Sequence, residues 1–188
     1  MTEQELRDLL ERTGAWLRGH FRLTTGLHSP EFFLLARLFQ YPELAERCGR
    51  ALADRLGDLQ VTAVVGPAMG GVLLAHEVAR ALGVRALFAE READGSMRLR
   101  RGFELSAGEP VLVVEDAVTT GGSAQSAAAA ARAAGGEPVA VAAVIDRSGG
   151  RADFGVPFYA LLRVEVPVYR PEACPLCHQG IPLSEPKR

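Results

Sequence analysis

Lysine is almost absent from this chain of 188 residues: Lys187 stands alone against twenty arginines. No internal amine is therefore available to form a Schiff base, or to serve as the lysine of a G-x-x-x-x-G-K-[ST] phosphate loop. Asparagine is missing altogether, and isoleucine occurs only at positions 145 and 181. Any cationic chemistry must come from arginine or from a bound metal ion.

Long apolar runs and an excess of charge of one sign are missing as well. No stretch reaches the roughly 18 apolar residues that a membrane-spanning helix needs, and the first 14 residues are polar and acidic, unlike a signal peptide. The 21 basic and 23 acidic side chains give a net charge of −2. We therefore expect a cytoplasmic protein that binds neither membrane nor nucleic acid, so that any anion site is local.

The three cysteines are an odd number, which argues against a disulfide scaffold. Cys174 and Cys177 have the spacing of half a zinc site, but no second ligand pair lies near them in the sequence. A metal ion would need a partner subunit, Cys48 or distant histidines. We interpret the cysteines as structural and expect packing or surface roles for three histidines without ligand spacing: His20, His28 and His76.

Apolar periodicity predicts helices that alternate with strands over most of the chain. Helices are predicted at residues 2–17, 42–56, 72–82 and 124–134, and strands at 61–65, 84–89, 111–114, 139–145 and 158–164. This alternation is typical of an α/β domain with a central, mainly parallel sheet flanked by helices, and the length fits a single domain over residues 1–188. Ligands of such sheets bind beyond the carboxyl ends of the strands.

The strongest chemical signal is the segment VLVVEDAVTTGGS at residues 111–123. Two carboxylates, Glu115 and Asp116, end a predicted buried strand, and a turn rich in hydroxyls and glycine leads into a helix. Backbone amides and hydroxyls at a helix N-terminus bind phosphate, while the carboxylates can accept hydrogen bonds from sugar hydroxyls. A single phosphate with vicinal hydroxyls describes ribose 5-phosphate. The structural alternative, a simple helix cap beside solvated acids, explains less of the segment.

This segment closely resembles the phosphoribosyl pyrophosphate motif of type I phosphoribosyltransferases: four apolar residues, two acids, two variable positions and a T-T/A-G-G/T-S/T run. Within that family the chain resembles the orotate phosphoribosyltransferases over nearly its whole length. Four more segments carry this likeness: F-x-L-x-x-G-x-x-S-P-x-F-F at 21–33, V-G-P-A at 65–68, I-D-R at 145–147 and C-P-L-C-x-x-G-I-P at 174–182.

The resemblance implies transfer of ribose 5-phosphate from phosphoribosyl pyrophosphate to N1 of orotate, which yields orotidine 5′-monophosphate and pyrophosphate. It also implies a homodimer, a small hood formed by about residues 1–40 and the C-terminal tail, and Mg²⁺ held mainly by substrate oxygens rather than by a protein metal site. The implied catalytic residues are Asp116, Glu115 and Arg91. The implied substrate-binding residues are Glu115, Asp116, Ala117, Val118, Thr119, Thr120, Gly121, Gly122, Ser123, Arg147, Phe32, Phe33, Met69 and Gly70.

Within this set, Arg147 is the residue expected to bind the carboxylate of orotate, since guanidinium pairs with carboxylate in a bidentate manner. Phe32 and Phe33 are expected to form the wall beside the base, and Thr119 to touch it. Met69 and Gly70 belong to the segment GPAMGG at 66–71, which resembles a pyrophosphate-binding loop.

Residues 90–103 depart from the family pattern, which commonly has lysines and a histidine in a mobile loop there. This chain has only arginines in their place: Arg91, Arg98, Arg100 and Arg101. Arginine neutralises pyrophosphate but does not act as a general acid at neutral pH. Arg91 aligns with a family lysine that contacts the donor, whereas Thr24 replaces a lysine frequent in the early motif. A solvated hairpin is the structural alternative, which four arginines in a neutral protein disfavour.

Two other functions fit the same motifs. A purine-type phosphoribosyltransferase would share the donor site but use another base. A regulator that senses phosphoribosyl pyrophosphate without turnover would explain the missing lysines and histidine. The base that supports pyrophosphate release distinguishes these possibilities.

Overall fold

The computed structural model describes residues 1–23 and 25–186. Thr24, where the resemblance implied a lost lysine contact, and Lys187 lie outside the described residues. Six strands form the central sheet: β3 (Ala63–Pro67), β4 (Arg85–Arg91), β5 (Met97–Leu99), β6 (Glu109–Val118), β7 (Gly136–Asp146) and β8 (Phe158–Arg163). A separate antiparallel hairpin joins β1 (Trp16–Arg22) and β2 (His28–Phe33) near the N-terminus. The predicted α/β architecture is confirmed.

The order of the strands is β5-β4-β3-β6-β7-β8, and all neighbours are parallel except β4 and β5. The chain adds β4 on one side of β3 and later adds β6 on the other side. The crossover connections therefore diverge between β3 and β6, which opens a crevice beyond the carboxyl ends of these two strands. Both the acidic segment and the predicted pyrophosphate loop end at this crevice.

The helices are α1 (Glu3–Arg12), α2 (Ala36–Phe39), α3 (Pro42–Leu56), α4 (Gly70–Leu82), α5 (Gly122–Ala133) and α6 (Pro175–His178). The helix predicted over residues 2–17 ends early, because Gly14 adopts a positive φ of 65° and β1 begins two residues later. The short elements α2, β5 and α6 were not predicted, since three or four residues carry too little periodicity. No helix of the described residues is long and apolar enough to span a bilayer.

Two apolar layers cover the sheet, one on each face. In β6, Leu112 and Val114 point into the layer that includes α3 and α4, whereas Val111 and Val113 point into the layer that includes α5. All four are fully buried. This two-sided burial explains the unbroken apolar run, because a parallel strand covered on both faces has no solvent side.

The N-terminal hairpin packs against the C-terminal segment rather than against the sheet alone. Backbone hydrogen bonds join Arg22 to Ser184 at 3.0 Å and His28 to Tyr169 at 2.8 Å. This pairing also brings together four side chains that lie far apart in the sequence: His20, His28, Cys174 and Cys177. His20 and His28 are buried and are thus the distant histidines that a metal site at these cysteines would need, while His76 lies exposed as expected.

Candidate active site

A cleft opens beyond the carboxyl ends of β6 and β7, and the N-terminal hairpin forms its far wall. Fifteen of the described residues line it: Leu23, Thr25, Phe32, Phe33, Glu115, Asp116, Ala117, Val118, Thr119, Thr120, Gly121, Gly122, Ser123, Ala124 and Arg147. Segments more than 100 residues apart in sequence thus face one another across a single space.

The two acids at the end of β6 are held by short backbone contacts. The Asp116 amide donates to Glu115 Oε1 at 3.1 Å, and the Ala117 amide donates to Asp116 Oδ1 at 2.7 Å. Glu115 is buried, whereas Asp116 is half-buried at the cleft. Their position fits acceptors that receive hydrogen bonds from a sugar.

The turn at residues 119–123 connects β6 to α5 without a side-chain cap. Gly121 is the N-cap residue of α5 and adopts a left-handed conformation with φ of 86°, which only glycine adopts at little cost. The N-cap residue of this helix makes no side-chain hydrogen bond to the first turn, in contrast to α1, where Thr2 and Glu5 form a capping box. The N-terminus of α5 therefore presents uncapped amides to the cleft, an arrangement suited to an anion.

Arg147 is a buried cation at the end of β7. Its Nη2 donates to Ser29 Oγ at 3.3 Å and to the Glu31 carbonyl at 3.2 Å, and its guanidinium carbon lies 5.4 Å from the Phe33 ring centre. No carboxylate of the described residues forms an ion pair with it, and its Nε has no hydrogen-bond partner among them. Burial lowers the pKa of Arg147 from its usual value, with a smaller opposing influence from the Glu31 carboxylate. An anion entering this end of the cleft would meet a guanidinium that lacks a counterion.

Asp146 fixes the turn that carries this arginine. Its carboxylate is fully buried and accepts hydrogen bonds from the Ser148 amide at 2.8 Å, the Ser148 hydroxyl at 2.6 Å and the Gly150 amide at 3.2 Å. The Arg147 amide donates to the Val118 carbonyl at 2.8 Å, which ties the end of β7 to the end of β6. The guanidinium therefore keeps a fixed place relative to the acidic segment.

A second cleft continues from the first on the β3 side of the crevice. It is lined by Pro67, Ala68, Met69, Gly70, Arg91, Met97, Glu115, Asp116 and Ser123. A Cβ placed on Gly70 would lie 2.9 Å from Asp116 Oδ2, so only glycine lets this backbone lie so close to the acid. The peptide bond between Ala68 and Met69 is cis. The predicted pyrophosphate loop thus adjoins the acidic segment.

Residues 90–103 form the β4–β5 hairpin, and two of its arginines pair with its own glutamates. Arg100 pairs with Glu92 at 2.6 Å, and Arg101 pairs with Glu90 at 2.8 Å. The same pairs lower the pKa of each glutamate, chiefly through the arginine hydrogen bond. Two of the four arginines are therefore paired within the hairpin, and the role of this segment in binding pyrophosphate stays a prediction. Of the four arginines of this segment, Arg91 is the one that lines the cleft among the described residues, and its Nη1 donates to the Gly95 carbonyl at 2.8 Å.

Every predicted site residue lines one of the two clefts, which share Glu115, Asp116 and Ser123. Four lining residues were not predicted: Leu23, Thr25, Ala124 and Met97. Leu23 and Thr25 belong to the same motif at 21–33 as Phe32 and Phe33, so the sequence contained a signal that they line the base pocket. Met97 lies on β5, a strand that was not predicted.

Comparison with known proteins identifies relatives over nearly the whole chain. Residues 35–161 match the family model described as a phosphoribosyl transferase domain. The orotate phosphoribosyltransferase of Thermotoga maritima is 52% identical over 181 residues, which cover 96% of this chain and 96% of that protein. The enzyme of the same name from Thermus thermophilus is 53% identical over 181 residues, 96% of this chain and 99% of that protein.

Among solved structures, orotate phosphoribosyltransferase from Aeropyrum pernix has a TM-score of 0.73 at 25% identity, covering 85% of this chain and 94% of that one. The resemblance inferred from the sequence motifs is thereby confirmed. The chain belongs to the phosphoribosyl transferase family and, within it, to the orotate phosphoribosyltransferases.

Proposed function

We propose that this chain transfers ribose 5-phosphate from phosphoribosyl pyrophosphate to orotate in pyrimidine synthesis. The bond from C1′ to the pyrophosphate oxygen breaks, a bond from C1′ to N1 of orotate forms, and N1 loses its proton. The observation that carries this proposal is one continuous cleft that contains an uncapped helix N-terminus, a pair of acids and a buried arginine without a counterion.

The donor binds by its phosphate and its sugar. Residues 119–123 hold the 5-phosphate with backbone amides and hydroxyls at the N-terminus of α5, and the helix dipole favours that charge. Glu115 and Asp116 accept hydrogen bonds from the ribose hydroxyls. Because both acids are fixed by backbone amides, they orient C1′ with little reorganisation.

Orotate binds at the opposite end of the cleft. Its carboxylate pairs with Arg147 and supplies the negative counterion that the buried guanidinium lacks. Phe32 and Phe33 form an apolar wall against the planar base, and Thr119 lies between base and phosphate sites. A purine has no carboxylate to place beside this arginine, so the pocket favours orotate over a purine.

The residues of the cleft fit Mg²⁺ that is bound chiefly through the substrate. Oxygen donors of the kind that Mg²⁺ prefers are present in Glu115 and Asp116, but the acids of this cleft do not form a cluster of three or more ligands among the described residues. When bound with the donor, Mg²⁺ would supply charge neutralisation for the departing pyrophosphate. Asp116 and Glu115 are the side chains that would hold it or the hydroxyls beside it.

Arg91 and the loop at 66–71 complete the site for pyrophosphate. Arg91 supplies positive charge as the leaving group becomes more anionic. The backbone of the loop at 66–71 contacts the leaving group from the other lining of the same cleft. The guanidinium stays charged at neutral pH, so it stabilises the leaving group without protonating it. The N-terminal hairpin, which forms the far wall of the cleft, keeps bulk water from C1′ while the oxocarbenium-like state forms.

A spectrophotometric assay tests this function. Purified protein is incubated with phosphoribosyl pyrophosphate, Mg²⁺ and one base, and the loss of orotate absorbance is followed, with adenine and hypoxanthine in parallel. Turnover with orotate supports the proposal. Turnover with a purine alone, or donor binding without turnover on any base, would replace it with the purine-type enzyme or the regulator.

We further propose that the chain works as a single cytoplasmic domain in a homodimer, with about residues 1–40 and the C-terminal tail as a hood over the cleft. Its substrates are highly charged and do not cross apolar layers unaided, which favours the cytoplasm. Met69 and Leu73 are exposed one helical turn apart, and such a pair suits burial against a second subunit. Sedimentation analysis tests the dimer.

A further inference from the structure

The N-terminal hairpin and the C-terminal segment meet at four side chains that the proposed reaction does not use. His20 comes from β1 and His28 from β2, while Cys174 and Cys177 flank the start of α6. Their ligand atoms all lie within 4.8 Å of one another. We propose that these four residues, named here the Cys2His2 cluster, bind one zinc ion that fastens the hairpin to the C-terminal segment.

Three distances within the cluster match the edges of a tetrahedron around zinc. Zinc bonds of about 2.3 Å to sulfur and about 2.0 Å to nitrogen place tetrahedral ligand atoms about 3.3 to 3.8 Å apart. His20 Nε2 lies 3.5 Å from Cys174 Sγ and 3.7 Å from Cys177 Sγ. His28 Nδ1 lies 3.3 Å from Cys177 Sγ, and the two imidazole nitrogens are 2.9 Å apart. The imidazole nitrogens lie closer together than such an edge, so binding of zinc would move the two rings apart by a few tenths of an ångström.

The surroundings of His20 orient it as a ligand. Its Nδ1 lies 2.8 Å from the Ile181 carbonyl oxygen, which can only accept a hydrogen bond. Nδ1 therefore carries the proton, and the lone pair on Nε2 faces the cluster. Metal-binding histidines characteristically donate their second nitrogen to a carbonyl or carboxylate in this way.

Burial and donor chemistry select the metal. His20, His28 and Cys174 are buried, and only Cys177 reaches the surface. Two thiolates and two imidazoles in a closed tetrahedral arrangement are typical of structural Zn²⁺, whereas Mg²⁺ and Ca²⁺ prefer oxygen ligands. No position remains open for substrate, so the ion stabilises the fold and takes no part in catalysis.

The proposed ion would act on the active site indirectly. The hairpin between its two histidines carries Leu23 and Thr25, and Phe32 and Phe33 follow on β2. Fastening this hairpin to residues 174–177 would hold the wall of the base pocket in place. Zinc occupancy itself is independent of whether the chain acts on orotate, so failure of either proposal is visible separately.

Metal analysis of untagged protein, expressed in zinc-containing medium and purified without chelator, tests the site. We expect about one zinc ion per chain, and a loss of most of it in Cys177→Ser and Cys174→Ser. His178→Ala is the matched control, because this exposed histidine adjoins Cys177 but does not belong to the cluster. It should retain zinc. After replacement of zinc by Co²⁺, the wild-type protein should show the visible bands of tetrahedral cobalt with thiolate ligands.

A second measurement covers variants that fail to fold. Stepwise modification of the wild-type thiols with a mercurial should release zinc in step with two thiols, and chelation should lower the melting temperature by about 5 °C or more. Reduced, folded protein that takes up neither Zn²⁺ nor Co²⁺ at about one per chain would overturn the proposal. A Cys174–Cys177 disulfide as the stable state, or equal zinc loss in His178→Ala, would also overturn it.

Discussion

Arg147 is held among neutral groups, and this makes its charge expensive in the free protein. Its contacts are a hydroxyl, a carbonyl and an aromatic ring, and its Nε has no partner among the described residues. A buried charge without a counterion destabilises a fold, while the same charge binds an incoming anion strongly. We therefore predict that Arg147 lowers the stability of the empty protein and raises its affinity for a carboxylate.

The first prediction separates these two effects with Arg147→Met, which keeps side-chain volume and removes charge. We expect kcat/KM for orotate to fall roughly 10- to 150-fold, the equivalent of a hydrogen bond to a charged group, with the KM of the donor nearly unchanged. The melting temperature should not fall. Arg132→Met is the control, since Arg132 is exposed and remote from the cleft. An equal loss for both substrates would remove Arg147 from the base pocket.

The second prediction concerns Asp116, whose carboxylate lies where the two clefts join. Asp116→Asn keeps the shape but removes the charge that grips the ribose, so kcat/KM should fall about 100-fold or more. The circular dichroism spectrum and melting temperature should stay close to those of the parent protein. Asp58→Asn, at an exposed position outside both clefts, is the matched control. Unchanged kcat/KM would contradict the ribose role.

At the scale of elements, the turn before α5 depends on a glycine for two reasons. Gly121 has φ of 86°, and a Cβ there would lie 2.9 Å from the Phe154 ring. We predict that Gly121→Ala lowers stability by about 2 kcal/mol or more and raises the KM of the donor, because the phosphate amides shift. Gly83→Ala is the control: φ is 70°, and nothing lies within 4 Å of the added Cβ.

The comparison of these two glycines isolates the contact with Phe154. Gly83→Ala should cost only about 1 kcal/mol of unfolding free energy and leave the donor KM alone. Urea unfolding and initial-rate kinetics measure the two quantities. If both variants lose equal stability and both retain the parent KM, the turn tolerates displacement and is not the phosphate site.

The β4–β5 hairpin gives the fourth prediction, since its arginines have different partners. Arg91→Ala should raise the KM of phosphoribosyl pyrophosphate about tenfold or more, because it removes positive charge from the pyrophosphate end of the cleft. Arg100→Ala should change this KM less than about twofold, because Arg100 pairs with Glu92 on the exposed face. A larger effect of Arg100→Ala would show that the hairpin rearranges over bound donor.

The local sequence pattern was sufficient to predict the elements that are buried on two faces or that carry a motif. The helix at 42–56 matches α3, and the run 111–114 lies inside β6, because burial and apolarity coincide there. The ion pair of Arg100 with Glu92 was not foreseeable without β5, which has three residues. The Cys2His2 cluster was missed for another reason. His20 and the two cysteines are 154 or more residues apart in sequence, and only tertiary packing brings them together.

At the scale of the whole molecule, the active site depends on contacts between distant parts of the chain. The acids and the phosphate turn belong to the central sheet, whereas Phe32 and Phe33 belong to a hairpin that pairs with the C-terminal segment. Loosening that pairing should open the base pocket before it disturbs the donor site. Loss of the C-terminal contacts is thus expected to affect the KM of orotate more than that of the donor.

The buried thiol of Cys48 makes the unfolding free energy of the whole molecule depend on pH. Cys48 lies in α3, inside the layer that covers one face of the sheet. Burial raises the pKa of this thiol from its ordinary value of 9.0 to about 12. Between these two values the unfolded chain has lost the thiol proton while the folded protein retains it. The stability that the thiol contributes is therefore complete below pH 9 and is lost as the pH rises toward 12.

The fifth prediction follows from that sign. Raising the pH from about 8 to about 10.5 should reduce the unfolding free energy of the parent by about 2 kcal/mol more than that of Cys48→Ala, which lacks the buried thiol. Every other ionisable side chain is the same in the two proteins, so the difference between them isolates Cys48. Urea unfolding at several pH values measures it. A difference that stays constant with pH would mean that the thiol ionises equally in both states, so that its helix opens without global unfolding.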